Sequence, residues 1–201
     1  MANSKVFTIF AGVNGAGKST LYYTLGDDFG IRLNSDEIIK DNGDNWRNVR
    51  SQVDAANHLN IKQVECINKG MSFNRETTVP GVSTIKLIKR LKEQKYKIQL
   101  LYIGVESVDI CKQRVAKRVL DGGHGIPEDI IDMRFTIINK RVAEILDLCD
   151  SIQFYDNTFE NIQLVGYKDN DKLVKLIDNC KWLNEIIDEY QLTNNNQWGS
   201  F

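Results

Sequence analysis

The sequence predicts an α/β fold, a parallel sheet flanked by helices and built around a phosphate-binding loop. Three observations predict it. Residues 12–19 read Gly-Val-Asn-Gly-Ala-Gly-Lys-Ser, a complete G-x-x-x-x-G-K-[ST] motif. Six mostly apolar residues precede it (Val6-Phe7-Thr8-Ile9-Phe10-Ala11), and a helix-compatible run over 19–25 follows and stops near Gly26. Beyond it, strand-like and helix-like segments alternate, the pattern of a parallel sheet with right-handed crossovers.

Strand, glycine loop and helix are the context this motif requires. Its glycines let backbone N–H groups turn inward around phosphate oxygens, and the helix N-terminus adds the positive end of its dipole. Gly12, Asn14, Gly15, Ala16, Gly17, Lys18, Ser19 and Thr20 are therefore the candidate nucleotide contacts. Lys18 is placed to reach the β- and γ-phosphates, and Ser19 to hold Mg²⁺. The bland alternative is a glycine-rich turn that binds nothing.

The remaining elements follow in order. Residues 31–34 make a short second strand, and Ser35-Asp36-Glu37 can cap the helix after it. Residues 47–69 carry apolar positions on one side of a helix that Gly70 stops. Residues 71–77 read as a strand running into a loop closed by Pro80-Gly81. A helix is expected over 83–94, a strand over 97–103, and a helix over 108–120 ended by Gly122-Gly123. Pro127-Glu128-Asp129 starts another helix, with proline in the first position and acids in the first turn. That helix is expected to run to about residue 149. Strands over 151–155 and 162–167 and a helix over 181–190 complete the set, and residues 191–201 read as a polar, frayed tail. One domain over 1–190 is expected, with a helical lid over about 107–135.

Composition narrows the functional classes. The 201 residues carry 26 Lys+Arg against 27 Asp+Glu, a formal net charge of −1. No global field draws the chain to nucleic acid or to an anionic membrane. Cys66, Cys111, Cys149 and Cys180 lie far apart, with no C-x-x-C pair, and are expected as reduced core thiols. Met1-Ala2-Asn3-Ser4 leads straight into the first strand, so no signal peptide is expected. No apolar run approaches the roughly 20 residues of a membrane span. A cytoplasmic protein is the expectation.

Ligands of a parallel α/β sheet sit at the carboxyl ends of its strands. Those ends are expected to hold the glycine loop, Asp36, Glu76 and Asn157. Asp36 follows the second strand and is expected to face the γ-phosphate, there to accept a hydroxyl proton or to order Mg²⁺. It would also be favourable simply as an acid in a first helical turn. Glu76, flanked by Arg75, Thr77 and Thr78, is a candidate for binding acceptor hydroxyls or for helping to hold Mg²⁺. Arg75 and Thr78 are candidate substrate contacts, although the threonines also suit a turn. Arg114, Lys117 and Arg118 share one helix face at i, i+3 and i+4, directly before Gly122-Gly123-His124-Gly125. A cationic face beside a glycine hinge suits a phosphate-clamping lid, and equally a solvated basic face. His124 suits a phosphate contact or a loop. Arg134 and Arg141 either turn toward the lid or lie on the surface.

The segment from Arg114 through Gly122-Gly123-His124-Gly125-Ile126-Pro127-Glu128 to Arg134 resembles the lid of bacterial zeta-toxin-like P-loop kinases, in the chromosomal subgroup with a G-G-H-x-I-P-E segment. The likeness spans about residues 5–167. It includes the glycine loop, Asn34-Ser35-Asp36, Arg75-Glu76-Thr77-Thr78 and Tyr155-Asp156-Asn157-Thr158. The resemblance implies a P-loop NTPase kinase-like fold with a five-stranded parallel sheet and a helical lid, with ATP and Mg²⁺ as cofactors. It implies an aspartate base, here Asp36, and lid cations that stabilise the transferred phosphate. Arg114 or Arg118 matches one family arginine, and His124 stands near the place of a second. Asn157 falls in the segment near the adenine. The lid is altered here, so the acceptor stays open.

These readings converge on an ATP-dependent kinase with Lys18, Asp36, Arg114 and Arg118 as the catalytic set and Ser19 and Asp36 as metal contacts. Glu76, Thr78, Arg75, His124 and Arg134 form the expected substrate site. The acceptor is a small-molecule hydroxyl. The family's own acceptor, the 3′-hydroxyl of UDP-N-acetylglucosamine, makes a nucleotide-sugar the first compound to consider. The alternative is an ATP-dependent regulatory switch that binds a partner protein and has no acceptor. No nucleic acid or membrane partner is expected, and an antitoxin-like inhibitor is not inferable from the chain.

Overall fold

The computed structural model describes residues 4–42, 48–169 and 172–197. The expected helix start at Arg47 and residues 198–201 of the expected tail lie outside them. The first strand, β1 (Val6–Ala11), is buried on all but its first residue and runs into the glycine loop and α1 (Lys18–Leu25). Then come β2 (Ile31–Leu33), α2 (Ser35–Asp41), α3 (Val49–Lys69) and β3 (Phe73–Thr77). They are followed by α4 (Val82–Glu93), β4 (Lys97–Gly104), α5 (Val108–Leu120), α6 (Glu128–Ala143) and β5 (Ser151–Asp156). The chain ends with β6 (Gln163–Asp169), β7 (Lys172–Lys175) and α7 (Lys181–Gln197).

Among the described residues the sheet has seven strands, in the order β2-β3-β1-β4-β5-β6-β7. The first five are parallel, as expected, but the whole sheet is mixed: β6 pairs antiparallel with β5, and β7 antiparallel with β6. This corrects the expectation of a purely parallel five-stranded sheet. Only residues 157–162 separate β5 from β6, and a parallel crossover needs a dozen residues or more. A short link leaves a hairpin as the geometry within reach. The edge strand β7 had no expectation from sequence.

Parallel register sorts β1 and β3 side chains between the two faces. Phe10 sits beside Glu76 and Ile9 beside Arg75. The Phe10 ring meets Tyr22 of α1 edge-on, whereas Phe7 stacks on Phe73 over the α3 side, where Tyr96 donates to the Cys66 carbonyl. Adjacent residues of a strand point to opposite faces. Glu76 therefore looks toward α1 and Arg75 toward α3.

Two helix limits differ from expectation. Helix α6 stops at Ala143 and a 3₁₀ turn, Leu146–Leu148, replaces its expected last turn. Ile145 and Leu146 are both fully buried. Consecutive residues of an α-helix diverge by about 100°, so the tightened turn brings both inward. Helix α7 continues through Gln197, past the expected limit at residue 190. All four cysteines are free and buried, as expected. Among the described residues, no helix is long and apolar enough to cross a membrane.

Candidate active site

The carboxyl ends of β1, β2, β3 and β5 surround a cavity of about 840 Å³. From the glycine loop and α1 it is lined by Asn14, Gly15, Gly17, Lys18, Ser19 and Thr20. The ends of β2 and β3 contribute Asp36, Arg75, Glu76 and Thr78, and the far wall is Arg114, Arg118, His124, Arg134 and Asn157. Gly12 and Ala16 stand behind this lining and act through their backbone carbonyls.

The glycine loop is locked by its neighbours. Gly15 and Gly17 hold φ of 84° and 107°, where a side chain is strained. A Cβ on Gly15 would come 2.4 Å from the Cys111 carbonyl oxygen at the start of α5. A Cβ on Gly17 would come 2.4 Å from Asn157 Nδ2. Lys18 Nζ donates to the carbonyls of Gly12 (2.8 Å) and Val13 (3.2 Å). Burial lowers the Lys18 ammonium below the ordinary lysine range, and Glu76 and Asp36 oppose that shift. Asn157 donates to the Ala16 carbonyl at 2.8 Å, while its own N–H donates to Gly104. Its side chain thus braces the loop from behind.

Glu76 is the hub opposite the loop. Its Oε1 accepts from Ser19 Oγ (2.9 Å), Asn34 Nδ2 (3.2 Å) and Arg32 Nη2 (2.5 Å). Arg32 also donates from Nε to Glu37 at 2.7 Å, and its guanidinium carbon lies 3.8 Å above the Tyr22 ring. Sequence reading missed Arg32. Its signal was a charge in the middle of the three-residue strand Ile31-Arg32-Leu33. Ser19 is bonded to Glu76, not to Asp36. The Ser19 hydroxyl and Glu76 carboxylate are hard oxygen donors, and Mg²⁺ held together with phosphates takes one or two such protein groups. The residues therefore fit the ion. Asp36 lies in the first turn of α2, where its N–H donates to Asn34 Oδ1 at 2.9 Å. Its negative charge acts on both Lys18 and His124.

The far wall carries the cations. Arg114 Nη2 donates to the Asn157 carbonyl (2.8 Å), Arg118 Nε to the His124 carbonyl (2.7 Å) and Arg134 Nη1 to Asn14 Oδ1 (2.6 Å). Arg114 Nη1 and Arg118 Nη2 are buried without a partner among the described residues. A buried donor left unpaired costs about 1–3 kcal/mol, so this wall is poised for an anion. Burial lowers His124, with Arg118 and Arg134 adding to the shift and Asp36 opposing it. Lys117 of the predicted basic face is exposed and does not line the cavity, and Arg141 pairs with Glu144 on the surface.

No family profile matches the chain. In structure it is similar to a chain of the AvrRxo1-ORF1:-ORF2 complex with ATP, with a TM-score of 0.70 at 12% identity. The match covers 92% of this chain but 64% of that one. It is also similar to a chain of the PezAT chromosomal toxin-antitoxin system of Streptococcus pneumoniae, with a TM-score of 0.61 at 15% identity, covering 99% and 89% of the two chains. At these identities the likeness is one of fold. In sequence, an uncharacterized protein of Haemophilus influenzae is 36% identical over 142 residues, which cover 67% of this chain and 94% of that protein. The chain belongs to the same family as this Haemophilus influenzae protein.

Proposed function

We propose that the protein is an ATP-dependent kinase that transfers the γ-phosphate to a hydroxyl of a small molecule. One observation carries the reading. A single cavity joins the phosphate loop, the Asp36 carboxylate and the donors of Arg114 and Arg118 that have no partner among the described residues. A kinase needs those three things, a phosphate cradle, an acceptor for the hydroxyl proton and cations over the transferring group. Its volume falls within the range of about 300–1,000 Å³ that small-molecule sites occupy.

In this reading the N–H groups of the loop and Lys18 hold the β- and γ-phosphates. Asp36 takes the proton from the acceptor hydroxyl, and Arg114 and Arg118 face the charge that spreads over the transferred group. Ser19, Glu76 and Asp36 would hold Mg²⁺, which when bound neutralises phosphate charge. Arg32 positions Glu76 by fixing its Oε1. The similar fold of a chain in a complex with ATP supports nucleotide binding. The lid resemblance makes a nucleotide-sugar the first acceptor to try.

The test is to offer purified protein Mg-ATP with UDP-N-acetylglucosamine, other UDP-sugars and a panel of hydroxyl metabolites, and to follow ADP and phosphorylated product. Acceptor-dependent ADP release is expected. Asp36→Asn should lower turnover by about 10²–10⁴-fold and leave ATP affinity within a few-fold. Nucleotide binding without product from any acceptor, together with a partner protein retained only when ATP is present, would replace the kinase by the regulatory switch.

A further inference from the structure

The opposite faces of β3 separate Arg75 from its neighbour Glu76. Glu76 is bonded on the α1 side to Ser19, Arg32 and Asn34. Arg75 points to the α3 side, where among the described residues its one hydrogen bond is Nη1 to Gln63 Oε1 at 3.0 Å. It has no ion pair among the described residues, and burial lowers its guanidinium below the ordinary arginine range. Half-buried, with a neutral amide for a partner, it is a cation without a counter-charge among the described residues. Burying an uncompensated charge is costly, and a fold keeps one more readily where a ligand supplies the missing anion.

Arg75 also borders a second cavity of about 340 Å³ between α3 and the start of α4. Asn60, Gln63, Ser83 and Thr84 give this chamber polar walls, and Phe7 and Leu87 give it an apolar side. Among the described residues Glu76 is its only acidic lining residue, and the Glu76 carboxylate is engaged on the other face of the sheet. Arg75, Glu76 and Thr77 line both this chamber and the main cavity, so the two meet at the end of β3.

We propose that this chamber is an oxyanion subsite in which Arg75 binds a carboxylate or phosphate group of the acceptor. This rests on the kinase reading and adds to it the acceptor's chemical class, a hydroxyl compound with an anionic arm. Its hydroxyl lies in the main cavity near Asp36, and its arm passes Thr77 to reach the guanidinium. Gln63 holds one edge of the guanidinium and leaves the other donors for the ligand. A planar fork matches carboxylate or phosphate geometry in a way that a lysine does not.

The experiment reads binding and needs no turnover. Protein saturated with Mg-ADP, which fills the phosphate loop, is titrated calorimetrically with sodium phosphate and with sodium malonate at constant ionic strength. Wild type is expected to bind at least one of them. Arg75→Met should weaken that binding at least tenfold, Arg75→Lys should restore part of it, and both should bind Mg-ADP within twofold of wild type. Phosphate alone binding marks a phosphorylated acceptor, and malonate alone marks a carboxylated one. If Arg75→Met does not fold, selenate soaked into wild-type crystals with Mg-ADP should give an anomalous peak within hydrogen-bond reach of Arg75. Neither ion binding to wild type, equal binding by Arg75→Met, or selenate found only elsewhere would overturn the subsite. Failure to find any phosphorylated product would remove the kinase reading and leave these binding results standing.

Discussion

The phosphate loop and the arginine wall face each other across one cavity, yet they are held in different ways. The loop is held by backbone. Its positive-φ glycines fit against the Cys111 carbonyl and Asn157, and its lysine is anchored on two loop carbonyls. The wall is held by side chains. Among the described residues, Arg114 and Arg118 each make a single side-chain hydrogen bond, to a carbonyl, and keep a buried donor with no partner. A backbone cradle cannot change shape without disturbing the packing behind it. A guanidinium held by one bond can re-aim when charge appears. In the proposed kinase the loop would hold phosphate and the wall would answer charge that develops during transfer, and substitutions on the two sides should separate binding from turnover.

The largest effect is expected at the loop. Gly15→Ala forces a side chain into a positive-φ position and against a backbone oxygen that cannot swing aside. Backbone strain of this kind costs about 1–3 kcal/mol, and the clash with α5 adds to it. A loss of about 3 kcal/mol or more should lower Tm by about 6–12 °C, with nucleotide binding lost by calorimetry. Unchanged melting and unchanged nucleotide affinity would mean that the loop is more plastic than its contacts suggest.

The wall should respond in the opposite sense. Arg118→Met removes one donor aimed at the cavity but leaves the loop untouched. Loss of one preorganised donor typically lowers turnover by about 10²–10³-fold. We expect that loss in kcat with ATP affinity changed only a few-fold. A drop confined to ATP affinity would make Arg118 a binding residue and erase the contrast between the two sides.

Asn157 joins them, because its side chain braces Ala16 while its carbonyl receives Arg114. The lid-family resemblance implies a nucleotide contact near the adenine for it. The geometry adds a role in supporting the loop. Asn157→Ala leaves the buried Ala16 carbonyl without this donor, at a cost of about 1–3 kcal/mol. Denaturant unfolding should show that loss without any nucleotide present, and Asn157→Asp should not restore it, since a carboxylate cannot donate.

How much of this was legible follows from the range of each constraint. The glycine motif encodes a local backbone path, so residues 12–19 could be read directly, and so could the strand before and the helix after. The i, i+4 spacing of Arg114 and Arg118 put both on the cavity side of α5, again a local matter. The antiparallel turn of β6 depended on the length of a connection, not on composition, and was missed. Arg32 and its bonds to Glu37 and Glu76 arise from tertiary contacts across two strands and a helix. The opposed directions of Arg75 and Glu76 needed only the two-residue period of a strand, yet what each one meets there is set by α1 and α3.

The smallest expected effect tests the wall from within. Burial, then Arg118 and Arg134, lower the His124 pKa, and Asp36 opposes them. The fold therefore favours the neutral imidazole, and the unfolded chain takes up its proton first as pH falls. The stability this contributes is present above about pH 6.5, the ordinary histidine value. It is lost as pH drops from there through the lower folded value. His124→Gln, neutral throughout, should lose less stability than wild type between pH 7 and pH 5 in paired denaturant titrations. A bound triphosphate adds negative charge to the same cavity and favours the charged imidazole. The gap between variant and wild type should therefore narrow when Mg-ATP is present. If it is the same with and without nucleotide, His124 does not sense the phosphates, and the wall's response to charge belongs to its arginines alone.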